Sequence, residues 1–343
     1  MESIIRERIK NDFSIDNKLK NTVCGIPKNM LLEVTNACND SCLFCANSKC
    51  TSQRGIIDLN FAKEILKQAY DWGLREVGFY GRGESLLDKN LEKYVSYAKD
   101  LGYEYIYITT NGALMTKERA DAIVEAGIDS IKFSINGADK KEYLQIHGQD
   151  DFDMVMRNLI YLSSLKEKED FALYISYVVT RYNYLNKDKF KDKYQKYVDD
   201  IVFYDCLNTA ATMTLELKNY LSMEENITDQ HREGNICPMI FKTLYVTYDG
   251  YLTMCCADYQ NYLAVADLKK EDLAEAWNNQ YAQELRRRHL EQDLDGTLCF
   301  NCMKNCVGNV SPLRQEYAVI FDPYKWDKSA EIDLRVKNKI LQA

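Results

Sequence analysis

The chain has 343 residues, of which 46% are hydrophobic and 28% charged, with a formal net charge of −8 and a pI of about 5.2. This length suffices for one large core or two smaller ones, and the acidic balance without a basic stripe argues against nucleic acid as a partner. The N-terminus has no apolar run of signal-peptide length and nothing approaches a membrane span, so we expect a cytoplasmic protein with no membrane partner.

Cysteine is abundant in this chain and histidine is scarce. There are 12 cysteines and 3 histidines. In a cytoplasmic chain, many cysteines indicate metal or redox chemistry rather than a disulfide framework. The shortage of histidine makes zinc sites and histidine-based acid–base catalysis less expected.

Strand and helix patterns alternate along the first two thirds of the chain. Residues 1–28 are polar and predict an N-terminal extension, after which apolar runs predict strands at 30–35, 76–80, 105–110, 130–134, 171–179 and 201–204, with helices between them. Short loops in such a series imply a parallel sheet with right-handed crossovers. Because a full (β/α)8 barrel needs about 250 residues, residues 29–210 predict an α/β fold of the partial (β/α)6 TIM-like barrel type.

Three cysteines follow the first predicted strand in a C-x3-C-x2-C pattern: Cys38, Cys42 and Cys45. Thiolates this close together are soft ligands that select iron–sulfur clusters or zinc. A structural zinc site normally takes four protein ligands, and a [4Fe–4S] cluster normally takes four cysteines. A cluster held by these three cysteines would keep one iron open for a small molecule, whereas a zinc knuckle is the alternative.

Polar residues follow each of the other predicted strands. They are Gly81–Glu84, Asn111, Ser134 with Asn136, Arg181 and Cys206. In parallel barrels the chemistry lies at the carboxyl ends of the strands. We therefore expect these residues to share one rim with the three cysteines, although each could also be ordinary turn chemistry.

The cysteine loop, with the aromatic Phe44 before its third cysteine, resembles the signature of the radical S-adenosylmethionine (radical SAM) superfamily. The resemblance implies catalytic cysteines Cys38, Cys42 and Cys45 that hold a [4Fe–4S] cluster, with SAM chelated to its open iron. It further implies reductive cleavage of SAM to a 5′-deoxyadenosyl radical, which abstracts hydrogen from the substrate. Phe44 is then one of the cofactor-binding residues.

The segment Gly81-Arg82-Gly83-Glu84 looks like the glycine-rich motif with which this family binds the amino group of SAM. Glycine permits close backbone approach, and the glutamate is an acceptor for an ammonium group. The chain departs from the family pattern at Arg82, where glycine is commoner. By the same resemblance, the remaining SAM contacts are Asn111, Ser134, Asn136 and Arg181, although an exposed rim arginine and a turn asparagine are the simpler interpretations of Arg181 and Asn111.

A second cysteine group follows Asn208, where the strand–helix alternation stops. A β-hairpin turning at Asp249-Gly250 is predicted to bring Cys255 opposite Cys237. This region, residues 211–343, resembles the twitch or shortened SPASM domain appended to many radical SAM enzymes. The resemblance implies one auxiliary [4Fe–4S] cluster, and we assign its ligands as Cys237, Cys255, Cys299 and Cys302, with Cys256 and Cys306 left over and a zinc ribbon as the alternative.

The resemblance implies oxidation of a substrate C–H group, with the auxiliary cluster as electron acceptor and a flavodoxin or ferredoxin as reductant. Residues 1–28 are too few for a leader-peptide-binding domain, which favours a small sugar-like or aminocyclitol-like substrate over a peptide. Radical modification of a peptide is an alternative, as is epimerisation with Cys206 as hydrogen donor. An alternative of another class is a non-catalytic iron–sulfur electron carrier.

Overall fold

Nine strands form a single sheet, and helices connect them. The computed structural model describes residues 6–8, 11, 14, 16–49, 53–206, 236–304, 306 and 308–319. The strands are β1 Asn29–Leu32, β2 Glu76–Phe79, β3 Tyr105–Thr110, β4 Ser130–Ser134, β5 Ala172–Val179, β6 Asp200–Asp205, β7 Thr243–Val246, β8 Tyr251–Thr253 and β9 Ala264–Asp267. The helices are α1 Leu59–Trp72, α2 Leu91–Leu101, α3 Lys117–Glu125, α4 Lys140–His147, α5 Phe152–Leu165, α6 Lys187–Tyr194, α7 Met239–Lys242, α8 Leu273–Trp277, α9 Gln280–Leu290 and α10 Leu298–Met303.

The sheet has the order β6-β5-β4-β3-β2-β1-β7-β8-β9. Strands β1 to β6 pair in parallel with their neighbours, and β7 also pairs in parallel with β1 on its other side. Strands β7, β8 and β9 are antiparallel. The predicted partial barrel followed by a small α+β region is confirmed, and the sheet passes from one to the other without a break.

The two faces of the barrel strands carry different side chains. On β4, Ile131 and Phe133 are fully buried and belong to the core between the sheet and the outer helices, whereas Lys132 and Ser134 point to the inner face. The same alternation holds on β3, where Ile106 is among the buried residues. Successive side chains of a strand point to opposite faces of the sheet, so this alternation gives each strand one apolar face and one polar face. The inner face encloses a lumen lined by polar and aromatic side chains.

The N-terminal segment covers the amino-terminal end of this lumen. Arg6 forms an ion pair of 2.7 Å with Asp200, the first residue of β6. Arg8 forms one of 2.7 Å with Glu76, the first residue of β2, and its guanidinium lies 3.5 Å from the centroid of the Tyr105 ring. Both contacts lie at the amino-terminal ends of the strands, opposite the rim that carries the cysteine loop.

Several element boundaries differ from those expected from the sequence. The connection between β4 and β5 holds two helices, α4 and α5, rather than one, and two more helices, α8 and α9, follow β9 and are divided where Asn279 caps α9. Strand β9 was not predicted. The predicted domain boundary at residue 210 and the segment 209–230 lie outside the described residues. Within the described ranges, no helix is long and apolar enough to cross a membrane.

Candidate active site

The loop after β1 brings three thiols together. Cys38, Cys42 and Cys45 are partly exposed and form no disulfide, and the amide of Cys45 donates to the carbonyl of Cys42 at 3.1 Å. Burial raises the pKa of Cys42, and the nearby thiols of Cys45 and Cys38 raise it further. Burial likewise raises the pKa of Cys38. Three soft donors that face one another at a partly exposed position are a suitable set for an iron–sulfur cluster. Phe44, also partly buried, lies between the second and third cysteines.

Helix α4 supports this loop from behind. The amides of Ser41 and Leu43 donate to carbonyls at the end of α4, at 3.0 and 2.9 Å. His147 Nδ1 lies 2.8 Å from Asp40 Oδ2 and 3.6 Å from the Cys42 sulfur. Neither His147 nor Asp40 was among the site residues predicted from the sequence. Their 107-residue separation offers no local signal, and only the fold brings them together.

The other nitrogen of His147 fixes its tautomer. Its Nε2 faces two donors, the backbone amide of Asn136 at 3.2 Å and the Asn136 side-chain amide at 3.1 Å, so it is an acceptor. The proton is then on Nδ1, which donates to Asp40 beside the Cys42 sulfur. The imidazole also stacks on Tyr143 with ring centroids 3.9 Å apart. His147 thereby orients the cysteine loop from outside the set of three thiols.

The glycine motif packs directly against the cysteine loop. A Cβ atom on Gly83 would lie 2.4 Å from the carbonyl oxygens of both Thr35 and Ala37, so any side chain there would push the two segments apart. The next amide, that of Glu84, donates to the Ala37 carbonyl at 2.7 Å. At Gly81 a Cβ would lie 2.4 Å from the Tyr245 hydroxyl. Both glycines therefore permit close approach, as the resemblance implied.

Glu84 is buried at the centre of the rim. Its carboxylate accepts hydrogen bonds of 2.7 Å from the Thr110 hydroxyl and 2.7 Å from the Asn111 amide, and one of 3.0 Å from the Leu86 amide. Burial raises the pKa of Glu84 to about 7, against these hydrogen bonds, which lower it. A neighbouring cation stabilises the ionised form of a buried carboxylate. The position of Glu84 therefore suits the ammonium group of a ligand.

The side chain of Arg82 points away from the cysteine loop and binds Glu33 and Asp258. The guanidinium donates to Glu33 Oε1 at 2.7 Å and to Oε2 at 2.8 Å, and it reaches the carbonyl of Asp258 at 3.1 Å. Only the backbone of Arg82 faces the cysteine loop, where its carbonyl accepts from the side chain of Asn47. The guanidinium is thus used in these contacts, and the prediction that Arg82 contacts the cofactor stays open only for its backbone.

The remaining predicted cofactor residues occupy the same rim. The Asn111 side chain donates to Asn39 Oδ1 in the cysteine loop at 2.9 Å. The Ser134 hydroxyl lies 3.3 Å from that of Ser176. The Asn136 side chain is used internally, since its oxygen accepts from the Val178 amide at 2.6 Å.

Two predicted residues lie at the far side of the rim. Arg181 is exposed just after β5. Cys206 is 3% exposed at the end of β6, its amide donates to the Val179 carbonyl at 3.0 Å, and burial raises its pKa to about 12. Cys206 is therefore a thiol at neutral pH. Its role as hydrogen donor stays a prediction.

The second cysteine group lies in the loop after β8, on α10 and in the segment before α7. Cys237, Cys255 and Cys302 are partly exposed and form no disulfide, and Cys299 is buried in α10. The pKa of Cys255 is raised by its hydrogen bond to Cys256, by burial and by the nearby charges of Cys256, Cys302 and Cys237. Cys255 thus faces two other predicted ligands, which fits a soft-metal site.

The two surplus cysteines face other partners. The pKa of Cys256 is lowered by its hydrogen bond to Cys255 and by the charge of Lys132 on the barrel wall. The Cys306 thiol donates to Asn301 Oδ1 at 3.4 Å. The assignment of Cys255, rather than Cys256, as the cluster ligand of the adjacent pair stays a prediction.

The loop between β8 and β9 touches the first cysteine group directly. The Tyr259 hydroxyl lies 3.5 Å from the Cys45 sulfur. The buried carboxylate of Asp258 holds this loop by accepting from the Thr253 hydroxyl at 2.9 Å and the Leu263 amide at 2.7 Å. Because Cys255 and Cys256 lie at the start of the same loop, this loop connects the two cysteine groups.

Known proteins match both halves of the chain. The sequence profile of the radical SAM superfamily matches residues 32–184, and that of SPASM, an iron–sulfur cluster-binding domain, matches residues 237–303. GTP 3′,8-cyclase of Chlorobaculum tepidum is 32% identical over 129 residues, which are 37% of this chain and 38% of the cyclase. The chain thus matches less than two fifths of that relative's length.

Solved structures share the fold at low identity. BtrN in complex with AdoMet and 2-DOIA has a TM-score of 0.52 and 19% identity, covering 86% of this chain and 100% of BtrN. Streptococcus suis SuiB bound to the precursor peptide SuiA has a TM-score of 0.64 and 16% identity, covering 83% of this chain and 73% of SuiB. At these identities the likeness shows the fold alone.

The two matched domains define the cofactors. They imply SAM with a [4Fe–4S] cluster at the first cysteine group and an auxiliary [4Fe–4S] cluster at the second, and the soft thiol sets and the Gly83 cradle fit these groups. The chain therefore has a radical SAM domain over residues 32–184 and a C-terminal SPASM iron–sulfur cluster-binding domain over residues 237–303.

Proposed function

We propose that this enzyme oxidises a C–H group of a small, polar, sugar-like substrate, with the auxiliary cluster as electron acceptor. The observation that carries the proposal is the contact between the first cysteine group and the loop that follows Cys255 and Cys256. Tyr259 of the auxiliary loop lies 3.5 Å from the Cys45 sulfur, and Cys256 of the same loop faces Lys132 on the barrel wall. A substrate in the lumen would therefore have both cofactor sites as its boundaries.

The residues of the chain have separate parts in this reaction. When bound, SAM and its cluster supply a hydrogen-abstracting carbon radical, and the auxiliary cluster supplies an acceptor for one electron. Cys38, Cys42 and Cys45 would hold the first cluster, and Glu84 would orient the ammonium group of SAM. The ion pairs of Arg6 and Arg8 attach the N-terminal segment to the first residues of β6 and β2.

The experiment incubates anaerobically reconstituted enzyme with SAM, dithionite and a panel of sugars, sugar acids and short peptides. We expect 5′-deoxyadenosine together with a product two mass units lighter than the substrate. Deuterium from D₂O in an isomeric product would instead identify an epimerase, and a modified peptide would identify a peptide substrate. Absence of 5′-deoxyadenosine from the iron-loaded protein would contradict radical SAM activity altogether.

The role of the auxiliary cluster is tested with Cys255→Ala, which removes a predicted cluster ligand. Its matched control is Cys256→Ala, which changes the adjacent cysteine. If the auxiliary cluster accepts the electron, Cys255→Ala forms 5′-deoxyadenosine but little oxidised product. The proposal fails if Cys255→Ala makes oxidised product at the wild-type ratio to 5′-deoxyadenosine.

A further inference from the structure

The loop between β8 and β9 places a tyrosine hydroxyl beside a predicted cluster ligand. The Tyr259 hydroxyl oxygen lies 3.5 Å from the Cys45 sulfur, and either atom could donate while the cysteine is a thiol. A cysteine that holds iron is a thiolate and has no proton to donate, whereas a phenol is protonated at neutral pH. With iron bound, the hydrogen bond therefore has one direction, from Tyr259 to Cys45.

The residue before Tyr259 fixes this hydroxyl in place. Asp258 is fully buried, and its carboxylate accepts from the Thr253 hydroxyl at 2.9 Å and the Leu263 amide at 2.7 Å. The carbonyl of Asp258 accepts from the Arg82 guanidinium at 3.1 Å. Because both the side chain and the backbone of Asp258 are held, the loop keeps Tyr259 next to the sulfur.

Hydrogen bonding to the three thiols is uneven. The Cys45 sulfur also accepts from the backbone amide of Asn47 at 3.4 Å. The Cys42 sulfur is placed differently, since it lies 3.6 Å from His147 Nδ1 and 3.9 Å from the Asp40 carboxylate. Cys45 is thus a ligand with two neutral donors, one from its own loop and one from the auxiliary region.

Two carboxylates act on the same cysteine group. Burial raises the pKa of Cys38, and the charges of Glu84 and Asp40 raise it further. The charges of Arg82 and Glu33, by contrast, are paired with each other. Ionised carboxylates disfavour the extra electron of a reduced cluster, because like charges repel. A hydrogen bond to a cluster sulfur has the opposite effect, since it stabilises the added negative charge.

We propose that the Tyr259 hydroxyl donates a hydrogen bond to the Cys45 thiolate of the first cluster and thereby raises the reduction potential of that cluster. One electron is added by the reductant, and the phenol proton stays on its oxygen throughout. Tyr259 acts through the ligand Cys45, so it is a positioning residue. The inference goes beyond the proposed function, because the first cluster must be reduced whichever C–H group is attacked.

The reduction potential of the first cluster tests the inference. Anaerobically reconstituted protein is titrated with dithionite in the presence of redox mediators, and the reduced clusters are followed by electron paramagnetic resonance. SAM binds the first cluster, so the signal that changes on adding SAM identifies that cluster, and the other signal belongs to the auxiliary cluster. Tyr259→Phe removes the hydroxyl and keeps the ring.

We expect Tyr259→Phe to make the first cluster harder to reduce. The equilibrium constant for its one-electron reduction should fall about threefold to tenfold, because the hydrogen bond is stronger in the reduced state than in the oxidised state. At about 59 mV per tenfold change, the midpoint potential moves about 30–60 mV to more negative values. The potential of the auxiliary cluster should not change, so each sample carries an internal control.

Two further variants assign the shift to the hydrogen bond. Tyr248→Phe is the matched control, since the Tyr248 hydroxyl donates to the Gln53 carbonyl at 2.7 Å and joins the hairpin of β7 and β8 to the segment after the cysteine loop. It should leave the potential of the first cluster unchanged. Incorporation of 3-fluorotyrosine at position 259 supplies a more acidic and therefore stronger donor, and should move the potential to less negative values. Iron content and thermal unfolding show whether each variant is folded.

The inference is overturned if folded Tyr259→Phe keeps the wild-type potential of the first cluster, or if both clusters shift together. An equal shift in Tyr248→Phe also overturns it, because a general loosening of the loop then explains the result. If Tyr259→Phe assembles no first cluster, the fluorotyrosine protein decides, and an unchanged potential there overturns the inference. The substrate panel tests the proposed function separately: oxidised product together with an unchanged potential would sink this inference alone.

Discussion

The Arg82 guanidinium and the Glu33 carboxylate form a double hydrogen bond, at 2.7 and 2.8 Å, inside the molecule. The Tyr245 hydroxyl adds a third hydrogen bond to Glu33 at 2.7 Å. Burial would raise the pKa of Glu33, but the charge and hydrogen bonds of Arg82 outweigh burial and lower it. The pair thus links the glycine motif to β1, and the Arg82 contact with Asp258 extends the link to the auxiliary loop.

Replacing Arg82 with methionine should destabilise the protein strongly. Removing one partner of a buried ion pair leaves an uncompensated charge and costs about 3–5 kcal/mol. The free energy of unfolding of the apo protein, measured in urea, checks this. The double variant Glu33→Met/Arg82→Met should recover part of the loss, because neither charge then remains. Equal stabilities of the wild type and Arg82→Met would show that the pair contributes nothing.

Iron content should separate the two cysteine groups. The wild type should hold about eight irons, and Cys38→Ala/Cys42→Ala/Cys45→Ala about four, since each [4Fe–4S] cluster contributes four. Cys255→Ala should also hold about four, whereas Cys256→Ala and Cys306→Ala should keep about eight. Iron and sulfide are measured after anaerobic reconstitution. If Cys256→Ala loses four irons while Cys255→Ala keeps them, the ligand assignment is reversed.

Glu84 should give the apo protein a distinct pH dependence. Its pKa is raised to about 7 in the folded state, above the usual value near 4.3 in the unfolded chain. The folded state therefore holds a proton that the unfolded state has released, and stability falls as pH rises from about 4 to 7.

Urea unfolding of the apo protein at pH 5, 6 and 7 measures this slope. Glu84→Gln should have a flatter slope than the wild type. Some slope should remain in both proteins, because burial also raises the pKa of Glu142. Identical slopes would show that Glu84 does not titrate in this range.

His147 should matter for stability more than for cluster loading. His147→Phe keeps an aromatic ring on Tyr143 but removes the hydrogen bonds to Asp40 and Asn136, which we expect to cost about 1–3 kcal/mol. Tyr143→Phe, which keeps the imidazole, is the control. A folded His147→Phe protein that takes up no iron at the first site would instead make His147 essential for cluster assembly.

The sequence predicted the parts of this structure that depend on local patterns. Strand alternation predicted the parallel barrel, and Asp249-Gly250 predicted the hairpin of β7 and β8. The C-x3-C-x2-C spacing and the glycine motif predicted which residues gather at the rim. These signals lie within short segments, so a single chain is enough to show them.

Contacts between distant segments could not be predicted in this way. The pairing of β1 with β7 depends on the return of the chain after the barrel, and no local feature of Thr243–Val246 indicates it. Arg82 was interpreted as a departure within a cofactor motif, because Glu33 and Asp258 could not be known as its partners.

The continuous sheet has a mechanical consequence for electron transfer. Four registered pairs join β1 to β7, from Asn29 with Thr243 to Leu32 with Val246, so the two cysteine groups are attached to one hydrogen-bonded framework. A hinge rotation between barrel and auxiliary region would have to break that ladder. The backbone ladder thus ties the two cysteine groups together, so the oxidation proposed above would need no hinge motion between barrel and auxiliary region to bring the two cluster sites together.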